Sequence, residues 1–204
     1  MSTVFVNSAV EGPNDEAVAK KLITACGGQV AKTYGLNEKE HVLKHLTGYN
    51  QAARREPWLV LVDLDRDACA PQLRAHWLPN PSELMCFRVV VRAIESWLMA
   101  DREALARYFG ISAARVPADP DALSDPKGTL VKLAAKARQV ELRSDVVPDP
   151  CGGRRSGPGY VFRIAEFVDE YWRPEIAAAS SDSLRRCLCG LRQLIERASA
   201  SCGI

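Results

Sequence analysis

Acidic side chains occur in three short stretches of the chain, and each stretch follows a run of residues that favours a β-strand. They are Glu11, Asp15 and Glu16 after the first run, Asp63 and Asp65 after the second, and Glu95 after the third. Residues that follow parallel strands meet at one edge of a sheet, so we expect these carboxylates to lie close together. Crowded carboxylates repel one another unless cations occupy the space between them.

Carboxylate oxygens are the ligands that Mg²⁺ prefers, and two divalent ions about 4 Å apart suit phosphoryl chemistry. The spacing therefore predicts a two-ion site for Mg²⁺ or Mn²⁺, with Asp63 and Asp65 pointing the same way and Leu64 pointing into the fold. An EF-hand loop is excluded, because its required Gly and Glu are replaced by Ala68 and Arg74. Taken singly, an acidic residue before a helix is equally explained as a partner of the helix dipole.

Strand and helix patterns alternate through the first half of the chain, which predicts an α/β domain with a mostly parallel sheet flanked by helices. Strands are predicted at 3–10, 29–34, 58–62 and 84–91, and helices from about 13 to 25, at 38–55 and at 93–108. From about Gly110 only helical periodicity is found, with helices at 127–138, 161–172 and 183–197 and a loop at 145–159. We therefore predict an α/β domain over 1–110 and a helical extension over 111–204, packed on the same core.

Composition narrows the classes of protein that are possible. Hydrophobic residues make up 47% and charged residues 25%, which is typical of a globular protein. The 27 basic and 25 acidic residues give a net charge of +2, so any contact with nucleic acid must be local. No signal peptide or membrane span is recognisable, and the seven cysteines, from Cys26 to Cys202, are an odd number typical of free thiols. A cytoplasmic protein is expected.

The acidic motifs resemble those of the Toprim fold, which occurs in topoisomerases, bacterial primases and nucleases of the OLD (overcoming lysogenization defect) type. The segments are Val10-Glu11-Gly12 with Asp15, and Val60 to Asp65, and this likeness covers about residues 3–100. The chain is also similar to a family of small bacterial Toprim-like proteins of undetermined function. That likeness adds the segments Arg92–Asp101, Pro126-Lys127 and Ser181–Arg186, and so extends over most of the chain.

The resemblance to OLD-type nucleases implies hydrolysis of phosphodiester bonds in nucleic acid by a metal-dependent endonuclease, without a covalent enzyme intermediate. The metal ligands that it implies are Glu11, Asp15, Glu16, Asp63, Asp65 and Glu95. The catalytic residues that it implies are Glu11, Asp63, Asp65 and Lys127. In this hypothesis Lys127 stabilises charge on the phosphate in the transition state.

The partners also follow from the resemblance. OLD-type nucleases carry an ATPase domain, but this sequence has no Gly-x-x-x-x-Gly-Lys-[Ser/Thr] motif. A separate ATPase of the AAA or ABC type is therefore expected as the partner, in an anti-phage defence system. DNA is the substrate that we expect first. No association with a membrane is expected, and an oligomer is possible. Arg92, Arg154 and Arg155 are candidate phosphate contacts, although the glycine-rich loop around Arg154 is equally explained as a solvated loop.

Two alternatives stay open. A haloacid-dehalogenase-like phosphatase also has Asp-x-Asp after an apolar strand, with Asp63 as nucleophile and Asp65 as acid or base. Those enzymes usually begin with this strand, whereas here a complete βαβ unit precedes it. The other alternative is a non-catalytic Toprim-like scaffold that binds an ATPase or nucleic acid. Asp63→Ala separates the hypotheses, because a scaffold would keep partner binding and a nuclease would lose turnover.

Overall fold

The computed structural model describes residues 3–67 and 69–201, so Cys202 lies outside the described residues. The four strands form one sheet in the order β2-β1-β3-β4, and all neighbouring strands are parallel. Helices cover both faces of this sheet. The predicted α/β class is confirmed, and the arrangement is consistent with the Toprim-like fold that the resemblance implies.

The strands and helices follow one another along the chain with short connections. They are β1 (Phe5–Val10), α1 (Pro13–Ala25), β2 (Gln29–Gly35), α2 (Glu38–Ala52), β3 (Trp58–Asp63), α3 (Ala70–Trp77), β4 (Met85–Val90), α4 (Ile94–Ala100), α5 (Arg102–Phe109), α6 (Pro126–Ala134), α7 (Val140–Val146), α8 (Tyr160–Glu170), α9 (Pro174–Ala177) and α10 (Asp182–Ser201). A short 3₁₀ turn occupies Ala113–Arg115.

β3 is buried on both faces, as its continuous apolar run predicts. Leu59 and Leu61 pack into the larger hydrophobic cluster, on the side of α1 and α10. Trp58, Val60 and Val62 pack into the smaller cluster, on the side of α2 and α3. Successive side chains of a strand point to opposite faces, so a strand between two layers of helices needs apolar residues at every position.

The C-terminal half packs on the same core as the sheet. Leu130 of α6, Ile164 of α8 and Leu188 of α10 belong to the larger cluster together with residues of β1 and β3. Helix α8 packs against α1, and α10 lies along β4. Within the described residues, the chain after 110 contains helices and turns but no strand.

Some helices differ from the sequence prediction. The helix predicted at 93–108 is divided into α4 and α5 at Asp101, whose side chain accepts a hydrogen bond from the backbone N–H of Ala104 and so caps α5. Helices α3, α7 and α9 were not predicted. Helix α3 is short and has no fully buried residue, although Ala70, Leu73 and Trp77 pack against the smaller hydrophobic cluster.

Among the described residues, no helix is both long enough and apolar enough to cross a lipid bilayer. The six described cysteines are free thiols, in agreement with the odd number of cysteines in the sequence.

Candidate functional site

A cavity of about 750 Å³ lies at the carboxyl ends of the strands. Its acidic lining residues are Asp15, Asp63, Asp65, Asp67, Glu95 and Asp125, and its basic lining residues are Lys39, Arg66, Arg92, Lys127 and Arg155. The acidic stretches that are far apart in sequence therefore reach one cavity, because β1, β3 and β4 are parallel neighbours and all end at this edge.

Glu11 and Asp63 are in direct contact beside the cavity, although Glu11 itself is not among the described lining residues. Glu11 follows β1 and Asp63 ends β3, and these two strands are adjacent in the sheet. The Glu11 carboxylate accepts a hydrogen bond of 2.7 Å from the backbone N–H of Asp63. This bond fixes one carboxylate beside another without neutralising either of them.

Burial and mutual repulsion raise the pKa values of three carboxyl groups here. Burial raises the pKa of Glu11 to about 7, and burial together with the charges of Glu11 and Glu95 raises the pKa of Asp15 to about 7. Burial first, and then the charges of Asp15, Glu11 and Glu95, hold the pKa of Asp63 well above its ordinary value. Such shifts, in a cavity with convergent polar groups, are typical of functional sites.

Among the acidic residues of the cavity, Asp63 has the side chain that best fits a cation. Its Oδ1 atom is buried and accepts no hydrogen bond from the residues that the structure describes. An anionic oxygen without a donor is costly, and a cation would relieve this cost as well as the repulsion from neighbouring carboxylates. Carboxylate oxygens are hard metal ligands, so these side chains fit a hard divalent cation.

The same side chains are not gathered around one point. Over 3–67 and 69–201, no three acidic, histidine or cysteine side chains form a group positioned to hold a metal ion. Two of the carboxylates are instead engaged with protein donors, Glu11 with the backbone of Asp63 and Glu95 with the Tyr160 hydroxyl.

The loop after β3 holds Asp65 at the exposed side of the cavity. Asp65 has a φ of 55°, in the left-handed region, so the strand conformation has ended before this residue, and both Asp63 and Asp65 line the cavity. The Lys39 ammonium lies 3.1 Å from Asp65 and 3.5 Å from Asp67. Leu64 is buried, as predicted.

Arg92 has a different contact from the one predicted. Its NH1 group donates hydrogen bonds of 2.7 Å to the carbonyl oxygens of Asp65 and Asp67. The guanidinium thus holds the loop that carries Asp65, and Arg92 also lines the cavity, so its contact with substrate stays a prediction.

Tyr160 closes the cavity from the C-terminal half, and sequence reasoning missed it. Its hydroxyl donates a buried hydrogen bond of 2.7 Å to Glu95. The Lys127 ammonium lies 4.8 Å from the centre of the Tyr160 ring, so Lys127 reaches the cavity from the first turn of α6. No local pattern marks Tyr160, because its partner lies 65 residues away.

Like Glu11, two other predicted site residues are not among the residues that line the cavity. Glu16 forms a 2.7 Å ion pair with Lys20, one turn further along α1, so Asp15 is the residue of this pair that enters the site. Arg154 is exposed and does not line the cavity, whereas its neighbour Arg155 lines it and pairs with Asp125 at 3.1 Å.

Comparison of the chain with protein-family models, with curated proteins and with solved structures finds no match. The class of the protein therefore follows from its fold and site, which are a four-stranded parallel α/β fold with an acidic cavity at the carboxyl ends of its strands.

The stability of the ion-free protein is expected to fall as the pH rises from about 4 to about 7. Glu11 and Asp15 have pKa values of about 7 in the folded protein, against ordinary values of 4.5 and 3.8. Between these limits the folded state binds more protons than the unfolded state. The stabilisation from these two groups is complete below their unfolded pKa values and is lost as the pH passes about 7, and the raised pKa of Asp63 adds a loss in the same direction.

Each pKa unit corresponds to about 1.4 kcal/mol, so we expect a total loss of at least about 3 kcal/mol. Urea unfolding in the presence of a chelator at several pH values measures it. Asp15→Asn should flatten the profile, whereas Glu16→Gln, outside the cavity, should leave it unchanged. A free energy of unfolding that rises over the interval contradicts the prediction.

Proposed function

We propose that this protein is a divalent-metal-dependent nuclease that hydrolyses phosphodiester bonds in nucleic acid, of the Toprim and OLD type. The observation that carries the proposal is the unpartnered, buried carboxylate oxygen of Asp63, in a cavity that acidic residues from three separate segments line. Structural ion pairs do not account for this arrangement, since Asp63 has repelling neighbours and no basic partner in the described part of the chain.

The residues that would hold Mg²⁺ or Mn²⁺, as one or two ions, are Glu11, Asp15, Asp63, Asp65 and Glu95. When bound there, such ions supply Lewis acidity that activates water and stabilises the leaving oxygen. Glu11 and Glu95 each have one carboxylate oxygen engaged with a protein donor, so each would bind an ion through its other oxygen and keep that donor.

Basic residues that line the cavity would bind a phosphate group of the nucleic-acid substrate. Lys127 reaches the cavity over the Tyr160 ring, and Lys39 and Arg66 line its opposite side. Lys127 would stabilise charge on the phosphate in the transition state. These cations supply the local positive charge that nucleic-acid binding requires in a chain with a net charge of +2.

Water is the nucleophile in this proposal. The one tyrosine hydroxyl in the described lining of the cavity is that of Tyr160, which is buried and donates to Glu95. Burial and the charge of Glu95 hold the pKa of Tyr160 well above its ordinary value, so the phenolate that a covalent mechanism needs is disfavoured. This supports hydrolysis over tyrosine-dependent strand transfer.

The wider setting belongs to the same proposal and comes from the resemblance. DNA is the preferred substrate, a separate AAA or ABC-type ATPase is the partner, and the role is that of the effector of a cytoplasmic anti-phage defence system.

A second candidate function is the non-catalytic scaffold. It is favoured by one finding, that no three side chains among the described residues are positioned to hold an ion. In this case the carboxylates would serve recognition of a partner ATPase or of nucleic acid.

Calorimetry with Mg²⁺ and with Mn²⁺, followed by a nuclease assay on the same samples, tests both candidates. We expect ion binding by the wild type and by Glu16→Gln, and none by the double variant Asp63→Ala/Asp65→Ala. Cleavage that is lost together with ion binding supports the nuclease. Ion binding without cleavage indicates that the chain needs its partner. No binding of either ion, even at about millimolar concentration, overturns the nuclease and favours the scaffold.

Tyr160→Phe is expected to raise the metal concentration needed for half-maximal cleavage by about ten-fold. The substitution removes the 2.7 Å hydrogen bond to Glu95 and leaves the ring in place. Tyr108→Phe is the matched control, because the Tyr108 hydroxyl also donates to a glutamate, Glu166, away from the cavity. A titration of cleavage against Mn²⁺ measures the effect. An unchanged midpoint in Tyr160→Phe shows that the hydroxyl has only a structural role.

A further inference from the structure

A second cavity, of about 400 Å³, lies at the outer edge of β4. Helix α3 borders it on one face of the sheet and the beginning of α10 borders it on the other, with Arg74, Arg88 and Arg186 among its lining residues. It shares no lining residue with the acidic cavity. The proposed nuclease activity assigns no role to these arginines.

Arg88 is placed in this cavity by a specific feature of α10. Gly190 lies inside the helix, where glycine is unfavourable. A Cβ atom at this position would overlap the terminal NH2 group of Arg88. The glycine therefore makes room for the guanidinium, which packs against the backbone of α10.

The Arg88 guanidinium has no charged partner in the described part of the chain. Its Nε atom is buried and makes no hydrogen bond to any described residue. The nearby thiol of Cys86 is a weak acceptor, and burial raises its pKa further above neutrality, so it supplies no negative charge. Arg74 likewise forms no ion pair with a described residue.

The two carboxylates of the cavity are already engaged elsewhere. Asp182 forms ion pairs with Arg185 and Arg186 on the first turn of α10. Asp121 accepts a 2.9 Å hydrogen bond from the Ser181 hydroxyl and a 3.4 Å bond from the backbone N–H of Ser183. Neither compensates the charge of Arg88, although both would repel a ligand with many negative charges.

We propose that this cavity binds a single oxyanion, a phosphate or a carboxylate group, with Arg88 at its base and Arg74 and Arg186 beside it. A guanidinium presents two parallel N–H donors that match two oxygens of such a group. Bound there, the oxyanion supplies the acceptor that the buried Nε of Arg88 lacks. The engaged carboxylates of Asp121 and Asp182 select one oxyanion over a polyanionic backbone, which separates this site in function from the nuclease cavity.

Calorimetry on the full chain in a chelator, with inorganic phosphate in one arm and succinate in the other, tests this proposal. We expect saturable binding in at least one arm, weakened about ten-fold or more in Arg88→Met. Arg74→Met, on the exposed side of the cavity, should weaken it less. The two arms show which oxyanion is preferred.

Lys127→Met is the control for phosphate that binds among the cations of the acidic cavity, and it should leave the Arg88-dependent binding unchanged. Melting temperatures of all variants show whether they fold. If Arg88→Met does not fold, the weakened binding expected of Arg74→Met, a substitution at the surface, still tests the proposal. The proposal is overturned if neither anion saturates by about 10 mM, or if binding is lost only in Lys127→Met.

Discussion

Replacing Asp63 with asparagine is expected to abolish metal-dependent cleavage and, at the same time, to raise the melting temperature of the ion-free protein. The carboxylate is buried beside Asp15, Glu11 and Glu95, and its Oδ1 atom has no donor among the described residues. Asparagine has nearly the same shape, removes the charge, and brings an amide N–H₂ that can donate to its acidic neighbours. The two effects therefore have opposite signs.

We expect a gain of about 2 kcal/mol, which corresponds to about 5 °C for a chain of this length. Cleavage should fall by more than about 100-fold, since the loss of even an outer partner of a metal ligand costs between 10-fold and 100-fold. Calorimetric melting in a chelator at about pH 8, where the neighbours of Asp63 are ionised, measures the first effect. A nuclease assay with Mn²⁺ measures the second.

Asp67→Asn is the matched control for this experiment. Asp67 lines the same cavity, but it is exposed and lies 3.5 Å from the Lys39 ammonium. Its replacement should change neither the melting temperature nor cleavage by much. An Asp63→Asn protein that melts at a lower temperature than the wild type, or that still cleaves, contradicts the role assigned to Asp63.

Asp101→Ala is expected to lower the free energy of unfolding by about 3 to 5 kcal/mol. Only 1% of Asp101 is exposed, and its carboxylate accepts hydrogen bonds of 2.9 and 2.7 Å from the Arg173 guanidinium. It also accepts bonds from the backbone N–H groups of Arg173 and Ala104. Alanine would leave these four donors without their acceptor, and three of them belong to a segment 72 residues away.

Urea unfolding of Asp101→Ala and of Glu103→Ala measures this contribution. Glu103 lies 3.9 Å from the same guanidinium, but 79% of its side chain is exposed, so its loss should cost less than about 0.5 kcal/mol. If the two variants are equally stable, the buried ion pair does not hold α5 to the segment before α9.

The segment Arg92–Asp101, which resembles a motif of small Toprim-like proteins, contains residues with three different kinds of contact. The structure divides this segment by function. Glu95 enters the acidic cavity, Arg92 holds the loop after β3, and Asp101 caps α5 and binds Arg173. Glu95 and Arg92 both line the acidic cavity, whereas Asp101 stabilises the packing of α5, so the segment combines two cavity residues with one that stabilises the fold.

The sequence by itself determined the class of fold and the edge at which the acidic residues meet. Strands and their faces follow from local periodicity, as in 58–62, where every position is apolar because both faces are covered. The carboxyl ends of parallel strands lie on one side, so Glu11, Asp63 and Glu95 could be placed near one another from the order of elements alone.

Only the tertiary structure decided which of two adjacent candidate residues faces the cavity. Asp15 enters it and Glu16 does not, because successive residues of a helix differ by about 100° around its axis and the packing of α1 selects the direction. Three other features could not be predicted from the sequence. They are the Tyr160–Glu95 bond, the ion pairs of Lys39 and the unpaired guanidinium of Arg88. Each depends on side chains tens of residues apart that meet when helices dock on the sheet. Local sequence patterns do not predict how the helices dock.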